Sequence, residues 1–211
     1  MAGTSIVATL AAAILQTFGV RGATEEPRYQ VVERIGAIEV RQYEGRIAAE
    51  ALVAGDEALA RNKGFRLIAG YIFGANASST QIAMTAPVAQ ANTGEQIAMT
   101  APVAQQPTEA GWRIRFYMPA KYNLAALPKP KDARVRLVQL PPQTYAVLAF
   151  SGSRSPGAVA LKQKQLAAEL VRAAWMTAGE PQGWFYDPPW TLPFLRRNEV
   201  AVQVERRQGD R

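Results

Sequence analysis

The 211-residue sequence contains no cysteine and no histidine. The absence of cysteine excludes disulfide bonds, thiolate metal sites, iron–sulfur clusters and a cysteine nucleophile. The absence of histidine excludes a Ser-His-Asp triad, acid–base catalysis by an imidazole and nearly all structural zinc sites. Because most common enzyme mechanisms need one of these two residue types, the composition favours a binding protein over an enzyme.

The sequence also lacks any run of basic residues. It has 24 Lys and Arg against 17 Asp and Glu, which gives a net charge of +7. The cations are scattered, and only Arg196-Arg197 and Arg206-Arg207 are adjacent pairs. Nucleic-acid-binding proteins cluster their cations on one face, so we expect no nucleic-acid partner. The positive balance suits solubility, an anionic lipid or an acidic small ligand.

Residues 1–23 differ in composition from the rest of the chain. Residues 1–20 carry no charged side chain, and Ile6 to Leu15 is an apolar run. This pattern is typical of a secretory signal or a short membrane anchor. We therefore expect a periplasmic or membrane-anchored protein with a globular domain at 24–211. If residues 1–23 form a docked helix instead, the protein is cytoplasmic.

Alternation of apolar and polar residues predicts β-strands from residue 29 onwards. The first two strands form a hairpin, because Gly36 separates them. The predicted strands are Tyr29–Ile35, Ile38–Tyr43, Ile47–Val53, Trp112–Met118, Val135–Leu140, Tyr145–Phe150, Trp184–Tyr186 and Glu199–Glu205.

Two helices interrupt the strands. The first is predicted at Asp56–Phe73, with Asp56 as N-cap and an inward stripe of Ala58, Arg61, Phe65, Ile68 and Ile72. Gly64 and Gly70 within it would permit close approach of a sheet or a ligand. The second begins at Ser155-Pro156 and ends near Gly179, with a core stripe of Val159, Leu166, Leu170 and Ala174.

The order of elements is strands, helix, strands, repeated once. It predicts two similar βαββ-like halves in one α+β domain, with an antiparallel sheet or open barrel packed against two helices.

Ten residues of the sequence occur twice. Gln81–Gln90 reads QIAMTAPVAQ, and the same letters recur at Gln96–Gln105. Each copy alternates in polarity, and Asn92-Thr93-Gly94 between them is typical of a turn. The pattern predicts a hairpin whose two arms are the two copies.

Three segments together resemble the SOUL/heme-binding protein family, in particular its bacterial members. They are the duplicated Ile-Ala-Met-Thr-Ala-Pro-Val, the stretch from Tyr186 to Val200, and Phe116-Tyr-Met-Pro119 continuing to Leu127-Pro-Lys-Pro130. The resemblance covers roughly Glu25 to Val204. It implies a distorted antiparallel β-barrel of two βαββ-like repeats with two flanking helices.

The resemblance also implies non-covalent binding of heme or another porphyrin in a shallow apolar surface groove. That groove would lie between the first helix and the loop at 186–197. The residues of this sequence that could line it are Arg61, Lys63, Phe65, Arg66, Ile68, Ile72, Tyr186, Trp190, Phe194, Arg196 and Arg197. Alternatively, the helix stripe is ordinary core, the two arginines fix the loop to a carboxylate such as Asp187, and Trp190 packs within the loop.

The missing histidine departs from family members with an axial histidine. We expect heme binding without a strong side-chain ligand to iron, and no other metal site. Met84 and Met99 are possible ligands, but the alternation places both on the core face. The sequence assigns no oligomeric state, and it leaves carrier, buffer and sensor roles open.

The two-βαββ arrangement is also similar to GyrI-like ligand-binding domains, which accept amphipathic molecules and have some hydrolase relatives. Catalysis would then depend on carboxylates and tyrosines. A buried glutamate with a raised pKa would indicate such an active site. An exported scaffold is the third hypothesis.

Overall fold

A computed structural model describes residues 24–77 and 94–207. The predicted signal or anchor at residues 1–23 and the first copy of the duplicated segment lie outside the described residues. The described elements are β1 (Tyr29–Ile35), β2 (Ile38–Tyr43), β3 (Arg46–Val53), α1 (Glu57–Ile72), β4 (Asn76–Ala77), β5 (Val103–Thr108), β6 (Gly111–Tyr117), β7 (Lys129–Pro130), β8 (Val135–Leu140), β9 (Gln143–Phe150), α2 (Pro156–Leu170), β10 (Trp175–Thr177), β11 (Gln182–Phe185), a 3-10 turn (Pro193–Leu195) and β12 (Asn198–Arg206).

The main sheet is built from two similar repeats, which exchange their first strands. Its order is β1-β2-β9-β12-β11-β5-β6-β3-β8, and all of these neighbours are antiparallel. The first repeat is β2-β3-α1-β5-β6 and the second is β8-β9-α2-β11-β12. Each repeat gives its first strand to the other, because β2 pairs with β9 and β8 pairs with β3. The predicted α+β fold of two βαββ-like repeats is confirmed, as a curled half-barrel.

Both helices pack on one face of this sheet, which we call the helix face. Beneath α1, a core cluster includes Ile68, Ile114 and Phe116. Beneath α2, a second cluster includes Leu166 and Val200. Since side chains alternate along a strand, the intervening residues point to the opposite, helix-free face, where a third cluster gathers around Trp184.

Helix α1 has the predicted bounds but a different buried stripe. The Asp56 side chain accepts a hydrogen bond from the backbone N–H of Leu59 at 2.9 Å, which caps the helix as expected. The buried positions are Ala60, Gly64, Ile68, Tyr71 and Ile72. Ala58 and Phe65 are exposed, so their assignment to the core stripe is wrong. Gly64 shifts the stripe, because the helix approaches the sheet most closely where a residue has no side chain.

Helix α2 starts as predicted and ends earlier. Ser155 caps it and Pro156 is its first residue, but the helix ends at Leu170. The chain then forms β10, which pairs with β12, so Ala174 is exposed and lies outside the predicted stripe. Within the described part of the chain, no helix combines the length and apolar character needed to cross a bilayer.

Only the last three residues of the second copy of the duplicated segment lie in a strand, and the hairpin partner of that strand is β6. Residues 96–99 have no regular structure, and the strand begins only at Val103. Residues 103–105 pair with β6 on one side and β11 on the other, so neither edge is open to the first copy. The predicted hairpin is therefore wrong for these residues. Met99 is 40% exposed, which also contradicts its expected place in the core.

Candidate functional site

The site residues expected from the sequence divide between the two faces of the sheet. Alternation along β11 and the loop that follows places Phe185 on the helix face and Tyr186 on the helix-free face. The guanidinium of Arg197 stacks on the Tyr186 ring at 3.8 Å, so Arg197 also belongs to the helix-free face. These two residues therefore do not share a groove with α1.

On the helix face, three arginines from separate segments come together. Nη1 of Arg61 in α1 donates to the carbonyl of Arg154 at 3.5 Å. Nη1 of Arg154 donates to the carbonyl of Asp187 at 3.0 Å, and its guanidinium lies over the Phe185 ring at 5.7 Å. Arg196 is close enough to repel Arg154. We call Arg61, Arg154 and Arg196 the arginine cluster.

The cluster carries more positive charge than its surroundings neutralise. The pKa of Arg154 is lowered to about 10, first by burial and then by the positive charges of Arg196 and Arg61. The negative charge of Asp187 acts in the opposite direction and raises this pKa in part. Glu57 lies 3.9 Å from Arg61, and burial raises the pKa of that carboxyl. Three cations therefore face two carboxylates, and an added anion would relieve the repulsion among the arginines.

Exposed aromatic side chains belong to the same elements as the arginine cluster. Phe65 of α1 is 39% exposed and lies one turn beyond Arg61. Its ring packs edge to face with that of Phe116, with the two ring centroids 5.3 Å apart. The loop before β12 exposes Trp190 at 57% and Phe194 at 69%. Such large apolar rings in water are typical of a surface that takes a ligand or a partner.

Arg196 holds that loop in place. Its Nε donates to the Thr191 carbonyl at 2.7 Å and its Nη2 to the Pro189 carbonyl at 2.9 Å. The Asp187 carboxylate instead accepts the backbone N–H of Arg197 at 2.6 Å. The structure therefore differs from the alternative in which the two arginines fix the loop to Asp187: Arg196 fixes it through backbone carbonyls, and the Arg197 side chain pairs with Glu199 and Glu26.

Four of the expected residues lie apart from the cluster. Ile68 and Ile72 are fully buried in the core beneath α1, so neither can line a surface groove. Lys63 and Arg66 are exposed on the outer side of α1. Nε of Arg66 donates only to the carbonyl of Asn62 in its own helix, at 3.4 Å.

The helix-free face is organised around the buried carboxylate of Glu199. Arg41 donates to both of its oxygens, at 2.9 and 3.2 Å, and Arg197 donates twice to Oε1, at 3.1 and 3.0 Å. The Tyr186 hydroxyl donates to Oε2 at 2.6 Å. Burial and this carboxylate raise the pKa of Tyr186 well above its ordinary value. Five donors satisfy Glu199, so the arrangement is that of a structural ion network.

Aromatic rings surround this network, and the N-terminal segment covers them. Trp184 lies 5.5 Å from Tyr43 and 5.3 Å from Tyr145, measured between ring centroids. Tyr29 covers Tyr43 at 5.1 Å. Glu26 pairs with Nη1 of Arg197 at 2.9 Å. The residues that follow the predicted signal or anchor are thus docked onto the domain.

Arg154, Arg41 and the ion network of Glu199 were not predicted from the sequence. Arg154 lies in a Ser/Gly-rich connection with no pattern to mark it. Arg41 was detectable, because the alternation in β2 places Glu39, Arg41 and Tyr43 on the face opposite the apolar Ile38 and Val40. Among the described residues, no group of three or more Asp and Glu side chains could hold a metal ion.

Solved structures with a similar fold include the following two. The EcmrR C-terminal domain has a TM-score of 0.56 at 11% identity, covering 84% of this chain and 98% of that one. A hydrolase from Listeria innocua has a TM-score of 0.53 at 9% identity, covering 86% of this chain and 93% of that one. At these identities the likeness concerns the fold alone. No curated protein matches the sequence.

The family relationship rests on a match over most of the chain. The model described as SOUL heme-binding protein matches residues 24–203. This range starts where the described structure starts and includes both repeats, the arginine cluster and the ion network. It confirms the resemblance drawn from the duplicated segment and the stretch before β12. The chain belongs to the SOUL heme-binding protein family.

Proposed function

We propose that the protein binds heme or a related tetrapyrrole on the helix face, with the carboxylates of the ligand at the arginine cluster. The observation that carries this proposal is the convergence of Arg61, Arg154 and Arg196, where burial and then the charges of the other two arginines lower the pKa of Arg154. A porphyrin dicarboxylate supplies the missing negative charge. Charge-assisted hydrogen bonds from a guanidinium to a carboxylate are among the stronger polar contacts in proteins.

The aromatic side chains beside the cluster suit the rest of such a ligand. Trp190 and Phe194 present exposed rings on the loop before β12, and Phe65 presents one on α1. Bound heme would contribute a flat aromatic surface and two propionates. Since the chain has no histidine or cysteine, we expect the iron to contribute little, and iron-free protoporphyrin to bind about as well.

A role without catalysis, as a carrier, buffer or sensor, follows from this type of site. The three arginines of the cluster are partly exposed, and the buried glutamate expected of a hydrolase is held by two arginines and a tyrosine. An exported, periplasmic or membrane-anchored location is proposed from residues 1–23 alone. Turnover of an electrophilic ester by the purified protein would favour the hydrolase hypothesis instead.

The proposal is tested by titrating the protein with hemin and, in parallel, with protoporphyrin IX, following the Soret absorbance. We expect micromolar affinity for both, equivalent to about −8 kcal/mol. Arg154→Met and Arg61→Met should each weaken binding by roughly tenfold, the loss expected for one charge-assisted contact. Arg66→Met is the matched control, because Arg66 lies on the same helix outside the cluster.

The salt dependence of the binding affinity distinguishes the electrostatic contribution of the arginines from the contribution of apolar packing. The affinity difference between the native protein and Arg154→Met should shrink as salt is raised, because screening weakens the native interaction. Unchanged affinity in both cluster variants would contradict the proposal. A six-coordinate low-spin spectrum that one Met or Tyr substitution abolishes would contradict the expectation of no axial side-chain ligand.

A further inference from the structure

Arg46 on the helix-free face is surrounded by tyrosine rings. Its guanidinium carbon lies 4.8 Å from the ring centroid of Tyr43, 5.0 Å from that of Tyr117 and 5.7 Å from that of Tyr145. Ring faces attract a cation, so the three tyrosines hold the guanidinium in place. Aromatic rings do not supply the oxygen hydrogen-bond acceptors that a guanidinium loses when it is buried away from water.

The hydrogen bonds of Arg46 are poor. Nη1 reaches the Glu44 carbonyl and Nη2 reaches Oε1 of Gln143, both at the long distance of 3.4 Å. Nε is buried and has no hydrogen-bond partner within the described part of the chain. Arg46 also pairs with none of the carboxylates in that part of the chain. An incompletely satisfied, partly buried arginine is costly unless an acceptor arrives.

Arg46 lines a cleft of 750 Å³ between the N-terminal segment and the loop at 119–123. Pro27 and the ring of Tyr122, both partly exposed, supply apolar surface to its wall, whereas the side chains of Ile47 and Met118 belong to the core beneath α1. Of its acids, Glu26 is paired with Arg197, and Glu25 accepts the backbone N–H of Ala120 at 2.8 Å. Glu44 is exposed on the turn, while Arg28 and Lys121 add positive charge.

We propose that this cleft is a second ligand site, which binds an amphipathic monocarboxylate. The carboxylate would accept hydrogen bonds from Arg46, and the apolar body of the ligand would lie along Pro27 and the ring of Tyr122. The site is on the opposite face of the sheet from the arginine cluster. It therefore does not depend on the proposed function, and the two can fail separately.

Three probes with one chain length test the charge requirement. Dodecanoate, dodecanol and dodecyltrimethylammonium are each titrated into the protein below their aggregation concentrations, and heat is measured by calorimetry. We expect dodecanoate to bind at least roughly tenfold more tightly than either other probe, because only it can accept from the guanidinium. Equal affinity for dodecanoate and dodecanol would overturn the proposal.

Variants locate the site. Arg46→Met should weaken dodecanoate binding by roughly tenfold or more, and Arg46→Lys by less, because lysine keeps the charge and loses the paired donors. Arg172→Met removes an exposed charge elsewhere and is the control. If Arg46→Met fails to fold, Ala120→Trp decides, because it fills the cleft mouth and leaves Arg46 unchanged. Unchanged dodecanoate affinity in Ala120→Trp and in any folded Arg46→Met protein would overturn the proposal.

Hemin distinguishes the two sites. We expect Arg46→Met to leave hemin affinity unchanged and Arg154→Met to leave dodecanoate affinity unchanged. Loss of hemin binding in Arg46→Met would place the tetrapyrrole carboxylates in this cleft and overturn the assignment of a separate site.

Discussion

Gly64 in α1 lies directly against Ile114 in β6. A Cβ at position 64 would come within 2.5 Å of Cγ1 and 2.9 Å of Cβ of Ile114. No side chain fits that space, so the glycine sets the distance between helix and sheet. Gly70 in the same helix has its nearest such neighbour, Cβ of Ala75, at 3.9 Å, which is an ordinary contact.

The two glycines should respond oppositely to alanine. Gly70→Ala should stabilise the protein by about 1 kcal/mol, because alanine favours the helical backbone and its Cβ makes only an ordinary contact with Ala75. Gly64→Ala should destabilise it by about 1–2 kcal/mol, because overpacking against Ile114 exceeds the same helical gain. Urea unfolding followed by circular dichroism measures both. Stabilisation by both substitutions would show that α1 can move away from the sheet at no cost.

Glu199 and Glu39 both contact Arg41, but only Glu199 is fully buried. Glu199→Gln should destabilise the fold by about 3–5 kcal/mol, because two arginines then lose the carboxylate between them. Glu39→Gln, at a partly exposed pair, should cost under about 1 kcal/mol. Equilibrium unfolding in urea compares the two. Similar small losses would mean that solvent reaches the Glu199 network.

Shortened chains test how the N-terminus contributes. A protein starting at Thr24 should unfold at the same temperature as the full chain, because it keeps Glu26 and Tyr29. A protein starting at Gln30 loses the Glu26–Arg197 pair and the Tyr29–Tyr43 contact, and should be less stable by about 2 kcal/mol. Differential scanning calorimetry measures both. Earlier unfolding of the chain starting at Thr24 would show that residues 1–23 stabilise the domain.

The local patterns of the sequence predicted the fold class and most elements. Period-two alternation placed β1, β2, β3 and β12 to within a residue or two, and capping residues placed the start of both helices. Pairing partners were not predictable in the same way. Nothing local in β5 indicates that both of its edges are occupied, or that β2 leaves its own repeat, because both facts depend on distant strands.

The candidate site was predicted only in part for a similar reason. Arg61 and Arg196 come together as expected, but Arg154, which is close to both, lies in the connection from β9 to α2, whose position no local pattern indicates. Tyr186 and Arg197 were grouped with α1 because they are adjacent in sequence to the loop before β12. Successive side chains of a strand point to opposite faces of the sheet. Residues that are adjacent in the sequence, such as Phe185 and Tyr186, therefore lie on different surfaces.

The exchange of β2 and β8 between the repeats has a consequence for how the chain is made. When β2 leaves the ribosome, its only local partner is β1; its other partner, β9, follows the whole first repeat. Pairings between such distant segments form slowly. During that interval β2 lacks its partner β9, and its apolar side, with Ile38 and Val40, lacks the helix α2 that covers it in the native state. The duplicated architecture therefore reaches its native state only late in synthesis, when the second repeat arrives to complete the first.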